Sequence, residues 1–238
     1  MIFQSADHFG KAQAEVRMQA MNVEHFAMMY GLIASEAIGR FGAEGETAVR
    51  EGIRDYGLAY GRRLAERAKA DGRPNDFVSY SVYGEFDFSV TGNVMDLEQR
   101  TPHVVVVFSK CGWCEAWKRK GLLNVGRIYC EEIDRAIIRG FNPDFRFEVD
   151  TTLTGGAERC RLVYWDGELG DETLLRLLTE KQRVGQSALR PFRSRVEQMH
   201  RAMAKALIPR FGESGRIALA AGLGAFQDMY GDMSLTSE

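Results

Sequence analysis

The chain has 238 residues, 45% of them hydrophobic, with 31 Lys and Arg against 33 Asp and Glu for a net charge of −2. That composition supplies a substantial core and offers no basic footprint for nucleic acid or an anionic membrane, so neither is expected as a partner. No apolar run approaches the roughly 20 residues of a membrane span, and residues 1–8 lack the basic-then-apolar order of a leader, so a cytoplasmic protein is expected. Cys111, Cys114, Cys130 and Cys160 are too few for a disulfide framework in a chain of this length. Cys111-Gly112-Trp113-Cys114 has the spacing of a zinc knuckle or a redox dithiol, but no second pair completes a zinc site and no βαβ pattern surrounds the motif.

In chain order, apolar residues recur at three and four through residues 7–70 and predict three helices, near 6–20, 23–41 and 45–70. Asp71-Gly72-Arg73-Pro74-Asn75 ends the third. Aromatic and β-branched residues then alternate from Phe77 to Val90 and predict strands, as a hairpin turning near Gly84 or Gly92. Val104 to Phe108 is a continuous apolar run that suits a strand buried on both faces. Helices are expected over 113–120 and 125–139, the second capped by Asn124 and stopped by Gly140. Strands follow at 145–153 and 159–165 around Gly155-Gly156, with Cys160, Leu162 and Tyr164 on one face. Helices return near 172–181, 187–210 and 215–230.

One internal repeat emerges. Arg40-Phe41-Gly42, Gly45, Gly52, Tyr56 and Tyr60-Gly61 recur at identical spacing as Arg210-Phe211-Gly212, Gly215, Gly222, Phe226 and Tyr230-Gly231. Its glycines permit a tight helical corner. The repeat reads first as a duplicated packing unit; the alternative is that Tyr56, Tyr60, Phe226 and Tyr230 line a substrate pocket. The expected fold is one α+β domain spanning 1–238, divided into helical 1–73, an α/β core over 74–170 and helices over 171–238. An antiparallel sheet of four to six strands is packed by central helices and enclosed by the repeated corners.

The set Cys114, Trp117, Gly121, Tyr129-Cys130, Asp134, Gly140-Phe141-Asn142-Pro143, Thr152-Leu153, Gly156 and Cys160 resembles the family of L-2-amino-thiazoline-4-carboxylic acid hydrolases. Glu46, Tyr56-Gly57 and Gly61 extend the likeness into the helical lead-in. The resemblance implies a cytoplasmic bacterial hydrolase that opens a small nitrogen-containing ring, such as that of an aminothiazoline acid. Ala157 departs from it, standing where the family often carries an acidic residue. A weaker similarity runs to small-molecule sensor domains of the vinyl-reductase type. Cys130 and Cys160 would there match two zinc ligands, while Thr152 falls where another cysteine is expected.

Under the resemblance Cys130 is the candidate nucleophile and Asp134, on the same helix face at i+4, the residue that protonates or orients the leaving atom. A neighbouring carboxylate raises a thiol pKa, so the pair needs a further activating group. His103, Arg127 and Arg135 are the candidates, His103 as a general base. Tyr129, Arg127 and Cys160 are expected near the substrate, a small heterocycle. No cofactor is expected; the alternative is zinc or another divalent metal held by Cys130, Asp134 and Cys160. Amphipathic helices at both ends are compatible with a homo-oligomer.

Overall fold

The computed structural model describes residues 21–231, so the helix expected near 6–20 lies outside the described residues. Helix α1 runs Val23–Ala70, opened by Asn22, whose side chain accepts the amides of Glu24 and His25. It is two helices joined at Gly42, where φ 56° and ψ −131° break the helical path. The halves then run back along each other, bringing the Phe26 and Tyr56 rings to 5.8 Å. Helix α6, Phe192–Tyr230, turns in the same way at Gly212, with φ 57° and ψ −128°. Left-handed φ favours glycine at both corners. At their tips Phe41 and Phe211 stack with centroids 3.8 Å apart and an interplanar angle of 5°.

Between these helical pairs lie the short helix α2 (Phe77–Tyr83), strands β1 (Val94–Gln99) and β2 (Val104–Lys110), and helices α3 (Gly112–Arg119) and α4 (Leu123–Phe141). Strands β3 (Phe147–Thr151) and β4 (Cys160–Tyr164) and helix α5 (Asp171–Val184) complete the order. The sheet is antiparallel, in the order β1-β2-β4-β3. Val104, Val105, Val106 and Val107 are all buried, as a strand covered on both faces requires. Leu162 and Tyr164 pack with Val104, Val106, Val149 and Ile138, so the face shared with Cys160 turns toward α4.

Helix α4 is pinned between the sheet and α1. A Cβ added at Gly61 would lie 2.0 Å from the Ile137 carbonyl oxygen, and one at Gly140 would lie 2.3 Å from that of Leu58. Only glycine permits backbones to approach this closely. On the outer side Glu132 takes Arg54 at 2.6 and 2.8 Å and Arg50 at 3.0 Å, while Arg50 also reaches Glu131 at 2.8 Å. The helix carrying Cys130 is therefore fixed by glycine contact on one side and ion pairs on another.

Three local expectations are corrected. The stretch from Phe77 is helix rather than a hairpin strand, because Asp76 caps the Ser79 amide and both sides of the segment are buried, Phe77 against the sheet and Val82 and Tyr83 against the helices. Tertiary burial outweighs β propensity there. Strand β1 was not anticipated, since it is an edge strand whose residues are almost all exposed and give little apolar alternation. Helix α4 starts after Leu122 and continues through Gly140 to Phe141, where the close approach to Leu58 gives that glycine a packing role instead of a stop.

Candidate active site

The thiols converge where the ends of β2, α3 and β4 meet the middle of α4. Cys111 follows β2 and caps the start of α3, Cys160 opens β4 opposite Phe108 of β2, and Cys130 faces them from α4. The turn at Leu153–Gly155 closes the group: the Leu153 amide donates to Cys160 Sγ at 3.3 Å, and the Thr154 hydroxyl, which donates to Thr152 Oγ1 at 3.3 Å, lies near enough to Cys130 to act on its thiol. All four cysteines are free.

Electrostatics separate these groups. Burial raises the Cys130 thiol well above its ordinary value, the Thr154 hydroxyl opposes the rise, and Cys111, Asp134 and Cys160 add to it. Burial pushes Cys111 up to about 12, against the lowering effect of the Cys114 and Trp113 amides at the α3 N-terminus. Asp134 is pushed up to about 6 by burial, with Arg135 in opposition. No hydrogen bond holds the Asp134 carboxylate among the described residues. A half-buried carboxyl in this range, with no hydrogen bond among the described residues, can both take and return a proton near neutral pH.

Beyond Tyr129 the interior is cationic. Arg195, 1% exposed, lies flat on Phe86 with Cζ 3.5 Å from the ring centroid. The carboxylate of Glu85, also buried, is bound by Arg63 at 3.1 and 3.2 Å, with Arg195 at 3.4 Å and Arg190 at 3.9 Å. The three guanidinium nitrogens of Arg195, the Tyr56 hydroxyl and the Trp113 indole nitrogen are buried without a well-formed hydrogen bond among the described residues. Tyr129 joins the two zones, since Tyr56, Asp134, Cys130 and Arg195 all bear on its hydroxyl.

The expected site residues divide into two groups. Cys130, Asp134, Tyr129 and Cys160 come together, with Tyr56 and Tyr60 around Arg195 on the neighbouring side. Tyr60 accepts the Glu85 amide at 3.0 Å. The others stand apart. His103 stacks on Trp165 at 4.4 Å, beside the Val104–Tyr164 end of the sheet, whereas Cys160 lies at its Phe108 end. At a rise of about 3.3 Å per residue the length of β2 separates His103 from the thiols, so a general-base role for it finds no geometric support. Arg127 pairs with Glu131 at 2.8 Å on the solvent side of α4, and Arg135 donates to the Glu131 and Val149 carbonyls. Phe226 and Tyr230 pack on His25, with the Tyr230 hydroxyl donating to Glu24 at 3.0 Å, so they do not share a pocket with Tyr56 and Tyr60.

Among the described residues no group of three or more His, Cys, Asp and Glu side chains is placed to hold a metal ion. None of the described helices is long and apolar enough to cross a membrane. Sequence reasoning passed over Arg195 and Thr154 and favoured core packing for Trp113. Arg195 did carry a signal, since it stands four residues before Met199 in the apolar stripe continued by Met203 and Leu207.

Residues 22–164 match the family described as L-2-amino-thiazoline-4-carboxylic acid hydrolase. No curated protein matches the chain, and no solved structure does. The matched span includes Tyr56, Trp113, Cys130, Asp134 and Cys160 and ends before Arg195.

Proposed function

The chain belongs to the L-2-amino-thiazoline-4-carboxylic acid hydrolase family, and we propose that it opens a small nitrogen-containing ring with Cys130 as nucleophile and Asp134 as the acid-base group. The observation that carries this reading is the Asp134 carboxyl, pushed up to about 6 and free of hydrogen bonds, one helical turn from Cys130. A carboxylate beside a thiol opposes a standing thiolate, because two like charges share one low-dielectric site. The thiol therefore reacts as a proton pair: as sulfur bonds to the ring carbon, its proton passes to Asp134.

The tetrahedral adduct then collapses. The ring C–N or C–S bond breaks, and Asp134 returns the proton to the departing heteroatom. Water attacks the carbon held on sulfur, Asp134 accepts a proton from that water, and the proton returns to the Cys130 sulfur as product leaves. The sum is one water added and one ring bond cleaved. Thr154, with its hydroxyl at the sulfur, would orient the thiol during both attacks. Cys160 is engaged by the Leu153 amide and fits the wall of the site rather than the nucleophile.

The test is incubation of the purified chain with thiazolines, hydantoins, lactams and cyclic imides, read by mass spectrometry for a gain of one water. The expected result is conversion of at least one ring class, lost in Cys130→Ser. Conversion that persists at the native rate in Cys130→Ser would remove the thiol from the mechanism. Saturable binding with no mass gain from any ring would favour a binding protein built on the same scaffold.

A further inference from the structure

The most unusual group in the molecule is one the ring-opening chemistry leaves unused. A fully buried arginine ordinarily spends its donors on carboxylates or carbonyls, since an unpaired buried charge is strongly destabilising. Arg195, 1% exposed, makes no hydrogen bond of good geometry among the described residues, and has only the Glu85 carboxylate at 3.4 Å and the Tyr56 and Tyr60 hydroxyls beside it. Among the described residues the anion paired with it, Glu85, already receives a two-pronged hydrogen bond from Arg63 and is approached by Arg190 as well. Three guanidinium groups thus face one carboxylate, which leaves positive charge in excess at an interior position.

How Arg195 is held indicates what it awaits. Stacking on Phe86 uses the face of the guanidinium and leaves its N–H edges free in the plane, the edges that match a carboxylate bidentately. Two further unpartnered donors, the Tyr56 hydroxyl and the Trp113 indole N–H, belong to the same aromatic surround: Trp113 stands 5.2 Å from Phe86 and Tyr56 lies beside the Arg195 charge. A surface pocket of about 590 Å³ is lined by Phe86 and Phe192 with Gln186, Leu189, Arg190 and Pro191. The two rings stand 5.8 Å apart and both pack on Trp113, so the pocket and the unpartnered donors share these aromatic neighbours.

We propose that Arg195, Tyr56 and Trp113 form an anchor for the carboxylate of the substrate, reached from the surface pocket past Phe86 and Phe192. This rests on the ring-hydrolase reading and deepens it: the preferred ring carries a carboxylate, which the anchor holds while Cys130 and Asp134 act on the ring. Arg195 lies on α6, beyond the residues that match the family, so this chain completes its site with a segment outside the matched span.

The experiment compares two probes on the full chain by isothermal titration and thermal shift: 2-amino-2-thiazoline-4-carboxylate, and 2-amino-2-thiazoline, which lacks the carboxylate. The acid is expected to bind roughly 100-fold more tightly, and Arg195→Met to abolish that preference without weakening the uncharged-tail probe. Tyr56→Phe and Trp113→Phe, which keep the packing, should each weaken the acid about 5-fold and carry the test if Arg195→Met does not fold. Guanidinium chloride at non-denaturing concentration should restore acid binding to Arg195→Ala, a rescue that a merely structural arginine would not give. Equal binding of the two probes, no binding of the acid, or a preference retained in every variant would overturn the anchor. Inorganic phosphate bound as tightly as acetate would overturn its assignment to carboxylates. Preferential binding of the acid without gain of a water leaves the anchor standing and removes the hydrolase reading, whereas turnover without preference does the reverse.

Discussion

Glu132 and Asp134 stand two residues apart on α4 and live in opposite environments. Glu132 is gripped by Arg54 and Arg50 at 2.6 to 3.0 Å, and although burial opposes it, those arginines hold its carboxyl below the usual range. Asp134 faces the thiols and aromatic rings with no hydrogen bond, and burial lifts it to about 6. The same helix therefore presents a clamping face and a reactive face, set apart by rotation about the helix axis. Pairing lowers a carboxyl pKa and stabilises the fold; isolation raises it, costs stability and creates an acid-base group.

The widest break in that comparison is Asp134→Asn. Turnover should fall by about 10²- to 10⁴-fold, the range expected when a positioned acid-base group is lost. The native kcat/KM should rise with pH through about 6 as Asp134 ionises, and the variant's residual activity should lose that limb. Stability should move the other way. A folded pKa of about 6 against an ordinary value near 4 means that Asp134 favours folding fully below pH 4, and that this contribution is lost as pH rises through 6. At pH 7.5 Asp134→Asn should accordingly be more stable by about 1 to 3 kcal/mol in urea unfolding, a gap that closes toward pH 4. A destabilised variant at pH 7.5 would show that the carboxylate has a partner and is structural.

Second in size is the glycine seam that sets the reactive face against α1. Gly61→Ala places a methyl 2.0 Å from the Ile137 carbonyl, and because the obstacle is backbone, the helices must separate. A loss of about 1 to 3 kcal/mol is expected, with turnover falling as Cys130 and Asp134 shift together. Gly39→Ala is the control, since nothing lies within 4 Å of its added Cβ. It should be neutral or slightly stabilising by propensity.

Long amphipathic segments made the helical frame readable, because a 3.6 period summed over many turns survives local ambiguity. The same logic placed Cys130 and Asp134 on one helix face, and strand alternation placed Cys160, Leu162 and Tyr164 on one face of β4. It failed at Phe77–Tyr83, where aromatic and β-branched residues satisfy a helix buried on two sides, and at β1, whose exposed residues carry no pattern. In the site, the thiol and carboxylate were visible as an i, i+4 pair, but their surroundings were not. Thr154 arrives from a turn, Arg195 from a helix far along the chain, and the distance from His103 to the thiols depends on strand direction. Spacing reports neighbours within an element, whereas an arginine that shares the Glu85 carboxylate with two others is a fact of the assembled interior.

The smallest effects lie on the clamping face. Glu132→Gln removes the charge that two arginines share and should cost about 1 kcal/mol at pH 7, because the pair with Arg54 is two-pronged while Arg54 itself is half exposed. The contribution follows the lowered pKa: present above the ordinary carboxylate value, it is lost as pH falls through the folded value, so native and variant curves should converge below about pH 4. Arg127→Ala should change stability by less than about 0.5 kcal/mol, since its pair with Glu131 is solvated and Arg50 keeps Glu131 occupied. If Arg127→Ala instead lowered kcat/KM by 10-fold or more with stability unchanged, the outward face of α4 would be in contact with substrate, and the division of this helix into a clamp and a reactive side would have to be redrawn.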